Sequence, residues 1–294
     1  MGPVARNAQV TRSGLPAASL RIRRAPAGWL FVLPLVIVFV LFVGYPLVAG
    51  VVMSLQAGNF QRLFGDPLYE RTVFNTLLFV VVSVNVKMIL SLALSGYLSV
   101  RSPAAKVVNA LYLLPWAVPV IPTILSWRWM LNSEWGLLNE FLWLAGFEPV
   151  FWLVRYETAI GSAMAFHIWK YTPLWTLIFL AGRKGIPAEL YEAAAIDGAS
   201  AWQNFRYVTY PMLARLHGIC TLLSTVWTMG DFVIIWLLTG GGPADSTHVL
   251  ATLAYRYAFQ MARVGQGVAV FTSALPLTLL LILILLRRFG VARS

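Results

Sequence analysis

Residues Glu189–Pro211 read ELYEAAAIDGASAWQNFRYVTYP, a polar, alanine-rich stretch in a chain that is otherwise mostly apolar. ELYEAAAI is built from strong helix formers, with Pro187 near its start and Ala193 to Ala195 in its body. Gly198 suits a chain reversal behind that helix, and Ser200 is placed to cap a second one beginning SAWQNFRYV. Pro211 marks the expected return of the chain to its apolar surroundings. Two short helices meeting at a glycine form a compact knob of small alanine and a few aromatic side chains. Such a shape fits a groove on another protein.

The surroundings of this knob are those of a membrane protein. Of 294 residues 59% are hydrophobic and only 11% charged, with a mean hydropathy of +0.75, too little polar surface for an ordinary soluble domain. The net charge of +11 raises the question of nucleic acid, but the basic residues are scattered in short clusters beside apolar runs rather than gathered on a soluble face. A single cysteine, Cys220, excludes an internal disulfide, and His167, His217 and His248 show no metal-ligand spacing. The arginine-rich first 28 residues precede an apolar run from Trp29 far longer than the roughly 7 to 15 residues of a signal-peptide core, so the run reads as an uncleaved span.

A spanning helix needs about 20 apolar residues. Six windows qualify, at 29–53, 73–98, 107–130, 158–182, 214–239 and 266–286, and none shows the alternation of a β-barrel strand. With the N-terminal tail inside the cell, Arg6, Arg12, Arg21, Arg23, Arg24, Arg101, Lys106, Arg183, Lys184, Arg206, Arg215, Arg287, Arg288 and Arg293 fall on inner segments. Only Arg62, Arg71, Arg128, Arg155, Arg256 and Arg263 fall outside. The excess of inner cations places both termini in the cytoplasm. The expected fold class is therefore an all-α membrane protein of six transmembrane helices. Its parts are a basic tail at 1–28, a permease-like region at 29–286 with a cytoplasmic loop at 183–213, and a basic tail at 287–294. Neither an internal repeat nor an interrupted helix is evident.

The Glu189–Pro211 stretch then lies in the cytoplasm between the fourth and fifth spans. With Pro187 added, it resembles the signature loop of the permease subunits of binding-protein-dependent ABC importers. The pattern is matched at Glu192, Ala193, Ala194, Asp197, Gly198, Ala199, Phe205, Val208 and Pro211, with Tyr210 where leucine is more usual. YPLVAGVVMSL in the first span, FNTLLFV opening the second and LTGGGP after the fifth extend the likeness over nearly the whole chain, towards the carbohydrate-uptake branch of maltose-type and glycerol-phosphate-type permeases.

The resemblance implies a type I importer permease fold and a bacterial or archaeal plasma membrane. It implies two ATPase subunits that receive the loop through Glu189, Glu192, Ala193, Ala194, Asp197, Gly198, Ala199 and Phe205. It also implies a second, non-identical permease, an extracytoplasmic solute-binding protein, membrane lipid around the helices, and a sugar or polyol as substrate, with no nucleic acid. Nothing in the chain matches G-x-x-x-x-G-K-[ST], so the chain is not expected to be an enzyme or to hold a cofactor; ATP and its magnesium belong to the ATPase.

Polar side chains inside a bilayer mark pathways or helix packing. His167, Lys170, Tyr171 and Leu174 share one face of the fourth span by their i, i+3, i+4, i+7 spacing. Ser224, Trp227, Thr228 and Asp231 repeat it on the fifth. Together they are the candidate substrate-binding residues: aromatic rings stack on sugar faces, and the hydroxyls of Ser224 and Thr228 bond sugar hydroxyls. Counted from the signature loop, these positions look equivalent to sugar contacts of maltose-type permeases, with Pro173 matching a proline there. His167 and Lys170 depart from that pattern, which argues against maltose itself. Lys170 is placed to bind an anionic group or to pair with Asp231, whereas Lys87 reads as a packing residue. Two other functions have their own requirements. A lone ion-coupled carrier calls for an inverted repeat and interrupted helices, and an intramembrane enzyme calls for a convergent nucleophile and base.

Overall fold

The structure, a computed structural model, describes residues 28–56, 58–99 and 103–289. The basic tails expected at 1–28 and 287–294 lie outside these residues except at their inner ends. Every element among the described residues is helical. They fall into two units, one ending at Val48 and one beginning at Ala49.

The first unit holds α1 (Gly28–Phe39), a wide π-helical turn at Val40–Gly44 and the start of α2 (Tyr45–Leu55). The path Phe31–Leu55 covers 25 mostly apolar residues, about 37 Å of helix against a hydrocarbon core of about 30 Å. No described side chain from Phe31 to Val48 is buried. The wide turn has a cause in the sequence. Pro46 has no N–H to offer Phe42, and the helix accommodates the lost bond by an i to i+5 link from the Tyr45 N–H to the Val40 carbonyl.

The second unit holds α3 (Asn59–Phe64), α4 (Pro67–Leu98), α5 (Pro103–Ala117), α6 (Val120–Met130), α7 (Leu137–Leu144), α8 (Tyr156–Lys184), α9 (Ala188–Ile196) and α10 (Ala201–Asn204). It continues through a π-helical turn at Phe205–Thr209 to α11 (Tyr210–Met229), α12 (Val233–Leu238), α13 (Leu250–Tyr255), a further π-helical turn at Arg256–Gln260, and α14 (Val264–Phe289). Two long helices, α4 and α8, form its axis. The former starts sharply, since the Asp66 carboxylate accepts from the Leu68 N–H at 2.9 Å with Pro67 in the first helical position. Small buried polar residues, Ser83, Ser91 and Ser95 on α4 and Thr172 and Thr176 on α8, let the backbones approach. Ser91 Oγ donates to the Thr172 carbonyl at 3.0 Å. Arg183 bonds Ser95 Oγ at 2.8 Å and the Leu92 carbonyl at 3.1 Å, tying the far ends together. One apolar cluster gathers Val80, Val84, Met88, Trp175, Phe179 and Leu213; a second gathers Phe79, Ile124, Phe166, Ile234 and Ile235.

Two windows expected as single helices are interrupted. The third bends by 96° between Asn109–Ala117 and Val120–Met130. Prolines explain it: Pro119 and Pro122 lack the N–H groups that would reach the carbonyls of Pro115 and Val118. The fifth stops at Met229, passes through Gly230, Asp231 and Phe232, and resumes as α12. The glycines of LTGGGP therefore end the short α12 rather than the fifth helix itself. Hydropathy runs through both breaks, so it registers neither. Pro211 stands in the first turn of α11, and the turn at Phe205–Thr209, closed by Tyr210 N–H to Phe205 O, carries α10 into α11 without a stop. Among the described residues three stretches, Phe31–Leu55, Pro67–Leu98 and Val264–Phe289, are long and apolar enough to cross a membrane singly, and the bent α5–α6 pair is a fourth. Helices α8 and α11, with 29 and 20 residues, reach about 43 and 30 Å but are more polar.

The FNT motif meets the segment that follows LTGGGP. Asn75 Nδ2 donates to the carbonyls of Ser246 (2.7 Å) and His248 (3.0 Å), its Oδ1 accepts from Tyr156 Oη (2.8 Å), and Thr76 Oγ1 accepts from the Leu250 N–H (3.0 Å). Gly241 has φ +86°, and a Cβ there would sit 2.1 Å from the buried His248 ring. Gly241→Ala is expected to lower the thermal unfolding temperature and open this segment to protease, through both strain and clash, at a cost of about 2 kcal/mol or more. Burial lowers the His248 pKa from 6.5 to about 4, leaving the ring neutral at pH 7. Asp245, 3.4 Å from His248, thus takes Arg256 as its charged partner.

Candidate functional site

Two regions collect the residues singled out in the sequence. The first is the loop between α8 and α11. Helix α9 closes with the N–H of Ala199 on the Ala194 carbonyl (2.9 Å) and Gly198 in the left-handed region, φ +72°. Ser200 then forms a capping box with Gln203: Gln203 Oε1 accepts from the Ser200 N–H at 2.7 Å, and Ser200 Oγ from the Gln203 N–H at 3.3 Å. The base of the loop is anchored by buried Ile186 and by Tyr191 Oη to Thr209 Oγ1 at 3.0 Å, with Tyr191 and Phe205 packed on the larger apolar cluster. Leu190, Ala193, Ala194, Asp197, Gly198, Ala199, Gln203, Tyr207 and Val208 line a cleft of about 450 Å³. Glu189 and Glu192 stand exposed on α9. Ile196, Trp202 and Tyr207 are 88%, 69% and 75% exposed. Large apolar groups presented this way on a rigid, capped support mark a contact surface.

The second region is a cavity of about 220 Å³ within the helices, lined by Lys87, His167, Tyr171, Trp175, Ser224, Trp227, Thr228 and Asp231. Helix α4 supplies Lys87, α8 supplies His167, Tyr171 and Trp175, and α11 supplies Ser224, Trp227 and Thr228. The break after α11 supplies Asp231, whose carboxylate accepts from the Ile234 N–H at 3.2 Å. His167 Nε2 lies 3.8 Å from Asp231 Oδ2 and 3.4 Å from Thr228 Oγ1. Its ring packs on Tyr171 at 4.9 Å between centroids, and Trp175 and Trp227 lie 5.6 Å apart. Ser224 Oγ and His167 Nδ1 are buried without a hydrogen-bond partner. Lys87 is 2% exposed and holds its ammonium 5.7 Å from the Tyr171 ring centre, with no carboxylate within 4.0 Å among the described residues. A hydroxyl-rich ligand suits this set. Asp231 accepts, Lys87 donates, Ser224 and His167 have unused capacity, and the tryptophans offer faces for stacking.

Six of the eight residues expected to bind substrate thus share one cavity, while Lys170 and Leu174 are absent from its lining. Lys170 does not pair with Asp231. Its ammonium donates to the carbonyls of Pro115 (2.6 Å) and Val118, the two that Pro119 and Pro122 leave without helical donors. An i+3 position on α8 faces the neighbouring α5–α6 break rather than α11. Replacing this lysine removes both donors at once, so Lys170→Met is expected to destabilise the chain by about 3 kcal/mol, measured as earlier thermal unfolding, with ligand selectivity unchanged. Lys87, read from sequence as a packing residue, faces the cavity instead. Trp175 joins them in the lining, and its position one turn beyond Tyr171 is the signal for it in the sequence.

Residues 87–292 match the family described as binding-protein-dependent transport system inner membrane component. The trehalose/maltose transport system permease protein MalF of Thermococcus litoralis is 33% identical over 287 residues, covering 92% of this chain and 97% of the relative. The lactose transport system permease protein LacF of Rhizobium radiobacter is 29% identical over 251 residues, 79% of this chain and 83% of the relative. The sulfoquinovosyl glycerol transport system permease protein SmoG of Agrobacterium fabrum is 29% identical over 229 residues, 78% and 74%. Among solved structures, a chain of a bacterial alginate ABC transporter, in complex with alginate pentasaccharide-bound periplasmic protein, superposes with a TM-score of 0.82 at 22% identity, covering 90% of this chain and 94% of that one. That likeness shows the ABC-importer permease fold. The chain belongs to the family of inner membrane components of binding-protein-dependent transport systems, and it is a multi-pass permease.

Proposed function

We propose that the chain forms half of the translocation pathway of an ATP-driven importer for a sugar or polyol. In this reading it crosses the membrane six times, with both termini and the α9–α10 loop in the cytoplasm, and the aromatic-rich segment at 131–157 lies against the outer surface. Two separate ATPase subunits hydrolyse ATP and receive the loop, a non-identical second permease completes the pathway, and an outer solute-binding protein delivers substrate. The observation that carries the reading is the loop itself, a capped two-helix knob with Ile196, Trp202 and Tyr207 turned outward. Rigid-body movement of that knob, imposed by closure of the ATPases, would be transmitted through Tyr191, Phe205 and Thr209 to α8 and α11, which line the cavity.

Sugar specificity is supported by the relatives named for trehalose/maltose, lactose and sulfoquinovosyl glycerol, and by the aromatic and hydroxyl-bonding lining. A cavity of about 220 Å³ is smaller than the roughly 300 Å³ of a complete ligand pocket, as suits one half of a shared site. The lone ion-coupled carrier no longer lacks interrupted helices, since α5–α6 and α11–α12 supply them. It is disfavoured because the matched family depends on a binding protein. Trp227 is 60% exposed at the cavity edge, so its loss leaves folding intact. Trp227→Ala is expected to reduce uptake by the reconstituted complex about tenfold, the worth of one stacking face, with assembly unchanged. Wild-type uptake in that variant would remove the stacking role.

A further inference from the structure

A second cavity, of about 430 Å³, lies between α4, α11 and α14, with Tyr210, His217, Arg288 and Phe289 at one end and Val80 and Thr225 at the other. From Tyr210 to Thr225 it follows 15 residues of α11, about 22 Å, which exceeds the roughly 15 Å depth of one leaflet's hydrocarbon. Its upper walls are apolar: Val80 and Val84 on one side, Leu281, Ile284 and Leu285 on the other. The polar groups along the trench are turned back onto their own helices. Thr221 Oγ1 donates to the His217 carbonyl, Thr225 Oγ1 to the Thr221 carbonyl, both at 2.8 Å, and Asn85 Nδ2 to the Val81 carbonyl at 2.7 Å. Its polar end is cationic. No carboxylate is among the lining residues, and Arg288 makes no ion pair among the described residues; its guanidinium lies only over the neighbouring Phe289 ring at 5.9 Å. His217 Nδ1 is buried beside it without a hydrogen-bond partner.

A cation at the mouth of an apolar trench as deep as a leaflet has the chemistry of one kind of ligand. We propose that this cavity holds an anionic phospholipid, its phosphate on Arg288 and Tyr210 Oη and an acyl chain along Val84, Leu281 and Ile284. Basic pockets between helices at a membrane face bind anionic headgroups in this way. Because Tyr210 follows the Phe205–Thr209 turn directly, the lipid would sit where the α9–α10 loop joins α11. The inference rests on the chain's place in the membrane, not on its substrate.

The test uses the assembled transporter in nanodiscs of phosphatidylcholine with increasing phosphatidylglycerol, with bound lipids counted by native mass spectrometry. The wild type is expected to retain one phosphatidylglycerol that Arg288→Gln binds about fivefold more weakly, the worth of one basic residue at an anionic surface. Leu281→Trp, which fills the trench and leaves the cation, is expected to lose the same lipid even if Arg288→Gln does not assemble. Inorganic phosphate at millimolar concentration should not displace it. Unchanged retention in both variants, displacement by phosphate alone, or a crosslink from Leu281 to a helix of the second permease would overturn the assignment. Sugar uptake measured on the same samples separates this outcome from failure of the transport reading.

Discussion

Glu192→Lys is expected to abolish substrate-stimulated ATP hydrolysis by the assembled complex, by about 30-fold or more, while the chain still inserts and folds. The residue stands exposed on α9, next to the cleft formed by Ala193, Ala194, Asp197 and Tyr207. Among the described residues its side chain makes no ion pair and no hydrogen bond to the Gly198 turn or to the Ser200–Gln203 cap, so reversing its charge leaves both intact. If the proposed ATPase contact closes over this position, a reversed charge there costs at least about 2 kcal/mol of interface energy, which corresponds to that fold-change. ATPase stimulation, thermal unfolding and co-purification of the ATPase subunits separate a coupling defect from a folding defect. Stimulation that survives the reversal removes Glu192 from the contact.

The second large effect is expected at the charges of the central cavity. Asp231→Ala leaves the buried Lys87 without the carboxylate that shares its cavity and frees the Ile234 N–H. Breaking a buried charge constellation costs about 3 to 5 kcal/mol, enough to reduce both assembly and uptake by about 100-fold. The informative variant is the double one. Lys87→Met with Asp231→Leu removes both charges and refills the space with apolar groups, which is close to neutral for stability. Assembly should return and uptake should not. If uptake returns as well, the pair serves packing and the substrate site lies elsewhere.

How far the sequence reveals these sites follows from how local each determinant is. The α9–α10 loop was legible because its shape is set within a few residues: Pro187 opens it, Gly198 adopts positive φ, and Ser200 and Gln203 cap each other. The cavity was legible in part, because the i, i+4 stripe His167 and Tyr171 and the stripe Ser224, Trp227 and Thr228 face each other across α8 and α11. Lys170 was not, because helical spacing groups residues i and i+3 on one face but does not say which neighbour that face meets. The orphaned carbonyls of Pro115 and Val118 drew its ammonium away. Lys87 had no stripe of its own on α4 and became visible only once α8 and α11 were placed beside it. The breaks at Val118–Pro119 and Gly230–Phe232 sit inside continuous apolar windows, so the prolines and the Gly-Asp pair were the signals, not the hydropathy.

Force transmission through the α9–α10 knob is tested most directly by placing a photoreactive benzoylphenylalanine at Ile196, which is 88% exposed at the tip of α9. Illumination of the complex in its native membrane, with and without ATP, should give a covalent adduct with the ATPase subunit in both conditions. The attachment point should shift between them. An adduct formed only with lipid or with no protein at all, in either nucleotide state, would contradict the coupling role of the loop.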